Sequence, residues 1–218
     1  MARTTPSKPA EVDAEPGSQE HAGYRRSTGS ARGAARRAEL LDRVTDDVAA
    51  NGLVDFSLRR AARAAGTTHK VLLYYFDGAD DLLAETIVRL RDRRISAAFA
   101  AVDPQPPTLS ARVRALWPVL VDAETGLRVL DQAIGLAIYD PQRHAELGRQ
   151  ASKQYLPLLL SLCPVHWPEQ RKREVAAMIL AALRGFLIDR LTSGEADGAD
   201  AGLEALVRAL DREEAAVE

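Results

Sequence analysis

The sequence predicts an all-α fold, with a small N-terminal group of short helices on a larger C-terminal helical domain. Three observations carry this prediction. Apolar residues recur at three- and four-residue spacing from about Arg32 onward, the pattern of helices that bury one face. No segment shows the period-two alternation of a half-buried strand. Glycine, proline and serine or threonine caps cut the periodic stretches into helix-sized lengths.

Residues 1–31 mix Pro, Ser, Gly, Thr and charge with almost no branched apolar side chains. Burial cannot offset the entropy of ordering such a segment, so a disordered tail with a basic end is expected. The first helix runs from near Arg32 to Asn51-Gly52, with Ala38, Leu41, Val44 and Val48 as its apolar stripe. Ser57 is placed to N-cap a second, two-turn helix from Leu58 to Ala65, which Gly66 ends. Thr67 and Thr68 can cap a third short helix, His69 to Tyr75, closed by Phe76 and an Asp77-Gly78 turn. A long helix begins near Ala79 or Asp80 and carries the stripe Leu83, Ile87, Leu90. After Pro104, Pro106 and Pro107, helices are expected at Leu109–Glu124, Leu127–Tyr139, Gln142–Leu162, Glu169–Thr192 and Ala201–Arg212. The domain boundaries that follow are a tail at 1–31, a head at 32–78, a connecting helix at 79–103 and a C-terminal domain at 104–218.

Composition narrows the function classes. At 218 residues, 46% hydrophobic and 28% charged, the chain can bury a core and stay soluble. The single cysteine, Cys163, can neither close an internal disulfide nor build a four-thiolate zinc site, which points to a reducing cytoplasm. No run approaches the roughly 20 apolar residues of a membrane span. The acids Glu11, Asp13, Glu15 and Glu20 argue against an organelle-targeting leader. There is no Gly-rich phosphate loop, no His-Glu-x-x-His and no cysteine cluster, so no cofactor or metal is expected. Cys163 and His166, three residues apart across Pro164, read as a helix-ending turn rather than a nucleophile and base; no catalytic residue is assigned.

Charge is unevenly placed. Tyr24 to Phe76 holds ten bases against five acids, a net +5 in a chain whose total is −2, so the remainder carries −7. A basic segment on an acidic chain is the footprint of a protein that meets a polyanion at one end, although charge fluctuation along a helical chain also produces it. The short helices sharpen the reading. Two of them joined at a glycine turn and supported by a longer helix form a helix-turn-helix, whose second member lies in the major groove of DNA. Ala61 and Ala62 let the two cross closely, while Leu58, Val71 or Leu72, and Phe76 supply apolar contacts beneath.

The run Phe56-Ser57-Leu58-Arg59-Arg60-Ala61-Ala62-Arg63-Ala64-Ala65-Gly66-Thr67-Thr68-His69-Lys70-Val71-Leu72-Leu73-Tyr74-Tyr75-Phe76, followed by Leu82, resembles the TetR (tetracycline-repressor-like) family of transcriptional regulators. The resemblance spans about residues 33 to 95 and departs at two positions. Leu73 stands where the family commonly has a tyrosine, and Ala79 where it commonly has a lysine near phosphate. It implies an all-helical homodimer that binds a palindromic double-stranded DNA operator, most often as a repressor released by a small-molecule effector.

The residues assigned to DNA are Ser57, Arg59, Thr67, Thr68, His69, Lys70, Val71, Tyr74 and Tyr75, with Tyr75 and Phe76 also suited to seating the third helix. Arg25, Arg26, Arg32, Arg36 and Arg37 form either a minor-groove arm or a solvated tail. The helix from Glu169 is apolar nearly all round, with Val175, Met178, Ile179, Ala182 and Phe186 on one face, and the last helix is striped by Leu203, Leu206, Val207 and Leu210. Together they predict a homodimer through a two-fold four-helix bundle, the alternative being a monomer that buries this helix in itself. An effector site implied by the resemblance would draw on Trp117, Gln132, Tyr139, His144, Tyr155, Met178 and Phe186. Two other classes stay open: a helical small-molecule-binding or interaction module without specific DNA binding, and a DNA binder that answers to no effector.

Overall fold

The structure, a computed structural model, describes residues 30–102, 106–122, 126–194 and 196–216. The described residues hold nine helices and no strand. They are α1 (Ala31–Asn51), α2 (Leu58–Ala64), α3 (His69–Tyr75), α4 (Ala79–Ala101), α5 (Leu109–Val121), α6 (Leu127–Tyr139), α7 (Pro141–Leu162), α8 (Glu169–Ser193) and α9 (Asp197–Ala215). None is long and apolar enough to cross a membrane. The chain divides into a unit of residues 1–39 and one of residues 40–218. In the first, the described residues open α1, with the Ser30 hydroxyl accepting from the Gly33 amide and Arg36 paired with Glu39. The expected tail, including Arg25 and Arg26, lies outside the described residues.

Local chemistry sets most boundaries. Ser57, Thr68, Thr108 and Asp140 each accept a backbone N–H of the first turn they cap, satisfying one of the donors a helix start leaves open. Pro141 follows Asp140 at the first position of α7, where its missing N–H costs nothing. Two helices differ from the sequence reading. The fifth ends at Val121, and Glu124 lies outside the described residues. The last begins at Asp197 rather than Ala201: Gly198 and Gly202 weaken its helical pattern, while Asp197 and Asp200 favour the positive end of its dipole.

The larger unit has two connected cores. The first gathers Leu40, Val44 and Val48 of α1, Ala61, Ala62 and Ala65, Leu72 and Phe76, and Leu82, Leu83, Ile87 and Leu90 of α4, with Val129, Leu130, Ala133 and Leu147 from α6 and α7. The second is built from α5, α7, α8 and α9 around Leu109, Leu116, Leu162, Ile179 and Leu210. Helix α4 contributes to both, through Leu82–Leu90 near its start and Ala98 near its end. On α1 the buried row is Leu40, Val44, Val48: Val44 and Val48 are buried as expected, Leu40 rather than Leu41 completes the row, Leu41 is half-buried and Ala38 is exposed. On α8 the buried row is Val175, Ala176, Ile179, Leu183 and Leu187, and Met178, expected beside Val175, is exposed.

Candidate nucleic-acid interface

Helices α2 and α3 meet at a short joint. Gly66 takes φ +63°, the left-handed conformation that glycine adopts without a Cβ penalty. The Gly66 amide donates to Arg63 O at 3.1 Å and the Thr67 amide to Ala62 O at 2.9 Å, closing α2 just before Thr68 caps α3. Arg43 of α1 fixes the joint from below, its Nη1 donating to Ala65 O at 3.1 Å. Ala61, Ala62 and Ala65 are buried at the crossing, as their size suggested. Leu72 and Phe76 anchor α3 from beneath. Val71, offered as an alternative anchor, points outward instead.

Two of the basic side chains are committed to the fold. Arg60 donates through Nε to Asp47 Oδ2 at 2.8 Å and through Nη1 to Val54 O at 2.8 Å, tying α2 to α1 and to the loop between them. Arg43 holds the joint. Arg59, Arg63, His69 and Lys70 are exposed, and none makes a hydrogen bond or ion pair among the described residues. Ser57, Arg59 and His69 border one open hollow between the starts of α2 and α3, so three of the sequence-assigned residues share a surface. Thr68, Lys70 and Val71 are exposed beside it, and Thr67 is half-buried in the joint. Tyr74 and Tyr75 stack edge-on with ring centroids 4.8 Å apart, and Tyr75 packs against the first core. Leu73, absent from the sequence assignment, is 49% exposed and lies one turn from His69 and Lys70 on their face of α3. Its spacing from His69 was the available signal.

The acids of this region point elsewhere. Arg89 of α4 binds both Asp42 carboxylate oxygens, at 2.8 and 3.0 Å, and Arg93 reaches Asp42 and Asp46. The Arg89 hydrogen bond, aided by Arg93, holds the Asp42 carboxyl below its usual range. With Glu39 on Arg36 and Asp47 on Arg60, four of the five acids counted in the basic segment are paired, Asp42 and Asp46 by arginines from outside it. The exposed end of α2–α3 is therefore more positive than the segment's net charge implies.

A second feature lies in the C-terminal body. A cavity of about 70 Å³ is walled by α4 to α8, largely by leucines such as Leu116, Leu130, Leu158, Leu180 and Leu183. Four charged residues share the wall: Arg91 and Arg94 of α4, Asp131 of α6 and Arg184 of α8. Arg91 is 1% exposed and Arg94 3%. Tyr155 is the one sequence-assigned effector residue in this wall; burial raises its phenol pKa, opposed by Arg94, Arg91 and Arg184. The other six are placed elsewhere. Trp117 donates from Nε1 to Asp200 at 2.8 Å and stacks edge-on against Phe186, which in turn lies against Gly202. Gln132 accepts from the Leu53 amide at 3.0 Å. Tyr139 is 90% exposed, His144 half-buried at the start of α7, and Met178 on the outer face of α8. Cys163 is buried and its thiol pushed up by burial, the reverse of an activated nucleophile.

No family model matches the sequence, and no curated protein sequence does. Solved structures do match. A protein from Streptomyces coelicolor A3(2), described as a transcriptional regulator, superposes with a TM-score of 0.62 at 24% identity, over 80% of this chain and 98% of its own. A protein from Rhodococcus sp., described as a TetR-family transcriptional regulator, gives 0.59 at 15% identity, over 82% and 97%. The chain has the TetR-family fold. The multidrug binding protein EbrR, solved with imidazole, shares it with a TM-score of 0.59 at 20% identity, over 80% of this chain and 94% of that one. The TetR-family fold thus spans both the helix pair and the body that holds the cavity.

Proposed function

We propose that the chain is a homodimeric, sequence-specific DNA-binding regulator, a repressor that leaves a palindromic operator when a small molecule occupies the body cavity. The observation that carries the reading is the outer face of α2–α3. Arg59, His69 and Lys70 stand there exposed and unengaged beside Ser57 and Thr68, while every α1 acid near them is paired off. In this reading α3 enters the major groove, with Arg59 and Lys70 on guanine edges or phosphates, the Ser57 and Thr68 caps near the backbone, and Leu73 against a thymine methyl.

Dimerisation is supported by α8 and α9. Ala177, Met178, Ala181, Gly185 and Ile188 form an exposed row of small and apolar residues on α8, and Ala201 and Ala205 do so on α9. Small residues let two such pairs approach closely across a two-fold axis. Effector control is supported by α6, which places Asp131 in the cavity wall and the adjacent Gln132 on the Leu53 amide of the α1–α2 loop. The cavity's 70 Å³ suits a few waters, at about 30 Å³ each, and falls short of the ~300 Å³ of a drug-sized ligand's site. A ligand must therefore widen it, and a widened state with different head spacing would bind the operator less well.

The test is the salt dependence of DNA binding by Lys70→Ala and Arg59→Ala. Loss of a phosphate contact weakens all sequences and flattens the log–log salt slope by about one; loss of a base contact costs about 1–3 kcal/mol at one position. Unchanged binding by both variants contradicts the assignment.

A further inference from the structure

The charged residues of the cavity wall do not neutralise one another. Arg91 donates to Leu147 O at 2.8 Å and to Gln154 Oε1 at 3.3 Å, and Arg94 donates to Leu120 O at 2.9 Å and is hydrogen-bonded to Tyr155, so each has oxygen acceptors. Arg184 is different. Its Nη2 is buried without an acceptor, and the residue makes no hydrogen bond or ion pair among the described residues. Asp131 is the one carboxylate in the wall, yet its Oδ2 is also buried without a partner and no ion pair joins it to Arg184. Burial raises the Asp131 pKa more than Arg94 and Arg184 lower it, which favours the neutral acid. A guanidinium keeps its charge in a protein, so the wall carries three positive charges and at most one negative. Arg184 as a residue is half-buried, and leaving its inner Nη2 covered without an acceptor is costly.

We propose that the cavity takes an organic monoanion, a carboxylate on an apolar body, whose head pairs with Arg184 while the surrounding leucines cover the rest. The inference rests on the regulator reading and names its effector class. A planar carboxylate matches the guanidinium fork with two parallel hydrogen bonds. An ammonium head is disfavoured because the wall holds three arginines against one acid. The Asp131 carboxyl is then available to hydrogen-bond a second polar group of the ligand.

Calorimetry on the full chain tests the ligand class with matched triads: butanoate, butanol and butylammonium; octanoate, octanol and octylammonium; benzoate, benzyl alcohol and benzylammonium. In at least one triad the carboxylate should bind on the order of tenfold tighter than the alcohol, with the ammonium weakest. Arg184→Gln should remove about that factor for the carboxylate and leave the alcohol unchanged, which also shows that the variant is folded. Arg184→Lys should recover part of it. Preference for the ammonium, equal affinity for carboxylate and alcohol in every triad, no binding up to ~10 mM, or full carboxylate affinity in Arg184→Gln overturns the proposal. These titrations contain no DNA, so they stand apart from the regulator reading. A carboxylate that binds through Arg184 but does not lower the anisotropy of a bound fluorescent duplex leaves the ligand class intact and removes the effector role.

Discussion

Gly66 is the residue on which the orientation of α3 depends. Its φ of +63° puts it where a β-branched residue is strained, and an added Cβ would sit 3.4 Å from Arg43 Nη1, the group that holds the joint through Ala65 O. Gly66→Val should cost about 1–2 kcal/mol locally. DNA affinity should fall sharply while far-ultraviolet circular dichroism shows the helical body intact; retained affinity contradicts the role given to the turn. The joint was legible in the sequence because glycine, threonine cap and small residues fell in one register. The fates of neighbouring arginines were not. Arg59 and Arg60 are adjacent, yet one faces solvent and the other binds Asp47 and Val54 O, a division set by the angle at which a two-turn helix meets α1. Val71 and Leu72 divide in the same way, since either can face the core until the packing angle of α3 is known.

Among the elements, α4 does the most to connect the two cores. Its early leucines pack with α1–α3, its later part with α5 and α7, and Arg89 and Arg93 grip Asp42 and Asp46 of α1. The Asp42 carboxyl is depressed by these arginines. Its stabilisation is therefore fully present above the ordinary carboxylate range near pH 4 and is lost as the pH falls through the depressed value. These pairs are more than a third exposed, which limits the gain to about 0.5–1 kcal/mol. Urea melts of Asp42→Asn should show that penalty at pH 7 and little of it at pH 2.5; an equal penalty at both contradicts the ion-pair account. The existence of these helices was readable from period and punctuation. The charged cavity wall was overlooked, although it left a trace. Ile87, Arg91, Arg94 and Ala98 lie on one row of α4, Leu127, Asp131 and Ile134 on one row of α6, and Leu180, Arg184 and Leu187 on one row of α8. Charges that interrupt an apolar row at helical spacing are the sequence signal of a polar site inside a core. The aromatic residues chosen instead were large and conspicuous, but Trp117 serves α5–α9 packing and Tyr139 faces solvent.

At the scale of the molecule, a single head in the proposed regulator would offer one α3 to one major groove, about three to five base pairs, too little sequence to specify a site. The exposed small-residue row on α8 and α9 gives the chain a way to pair two heads, and a two-fold pair reads a palindrome with half-sites about one helical turn or a multiple apart. Fold class and the approximate extent of each helix were available from the sequence, because helical periodicity is local. The proposed partner surface was readable only as excess apolarity on α8, since which of its rows the body buries depends on the packing of α5, α7 and α9. The most direct test is selection of duplexes from a random DNA pool by the purified full chain at moderate salt. A two-fold pair of heads enriches a palindromic sequence, and Gly66→Val loses that enrichment. A pool that stays flat, with the protein folded and dimeric, would contradict it.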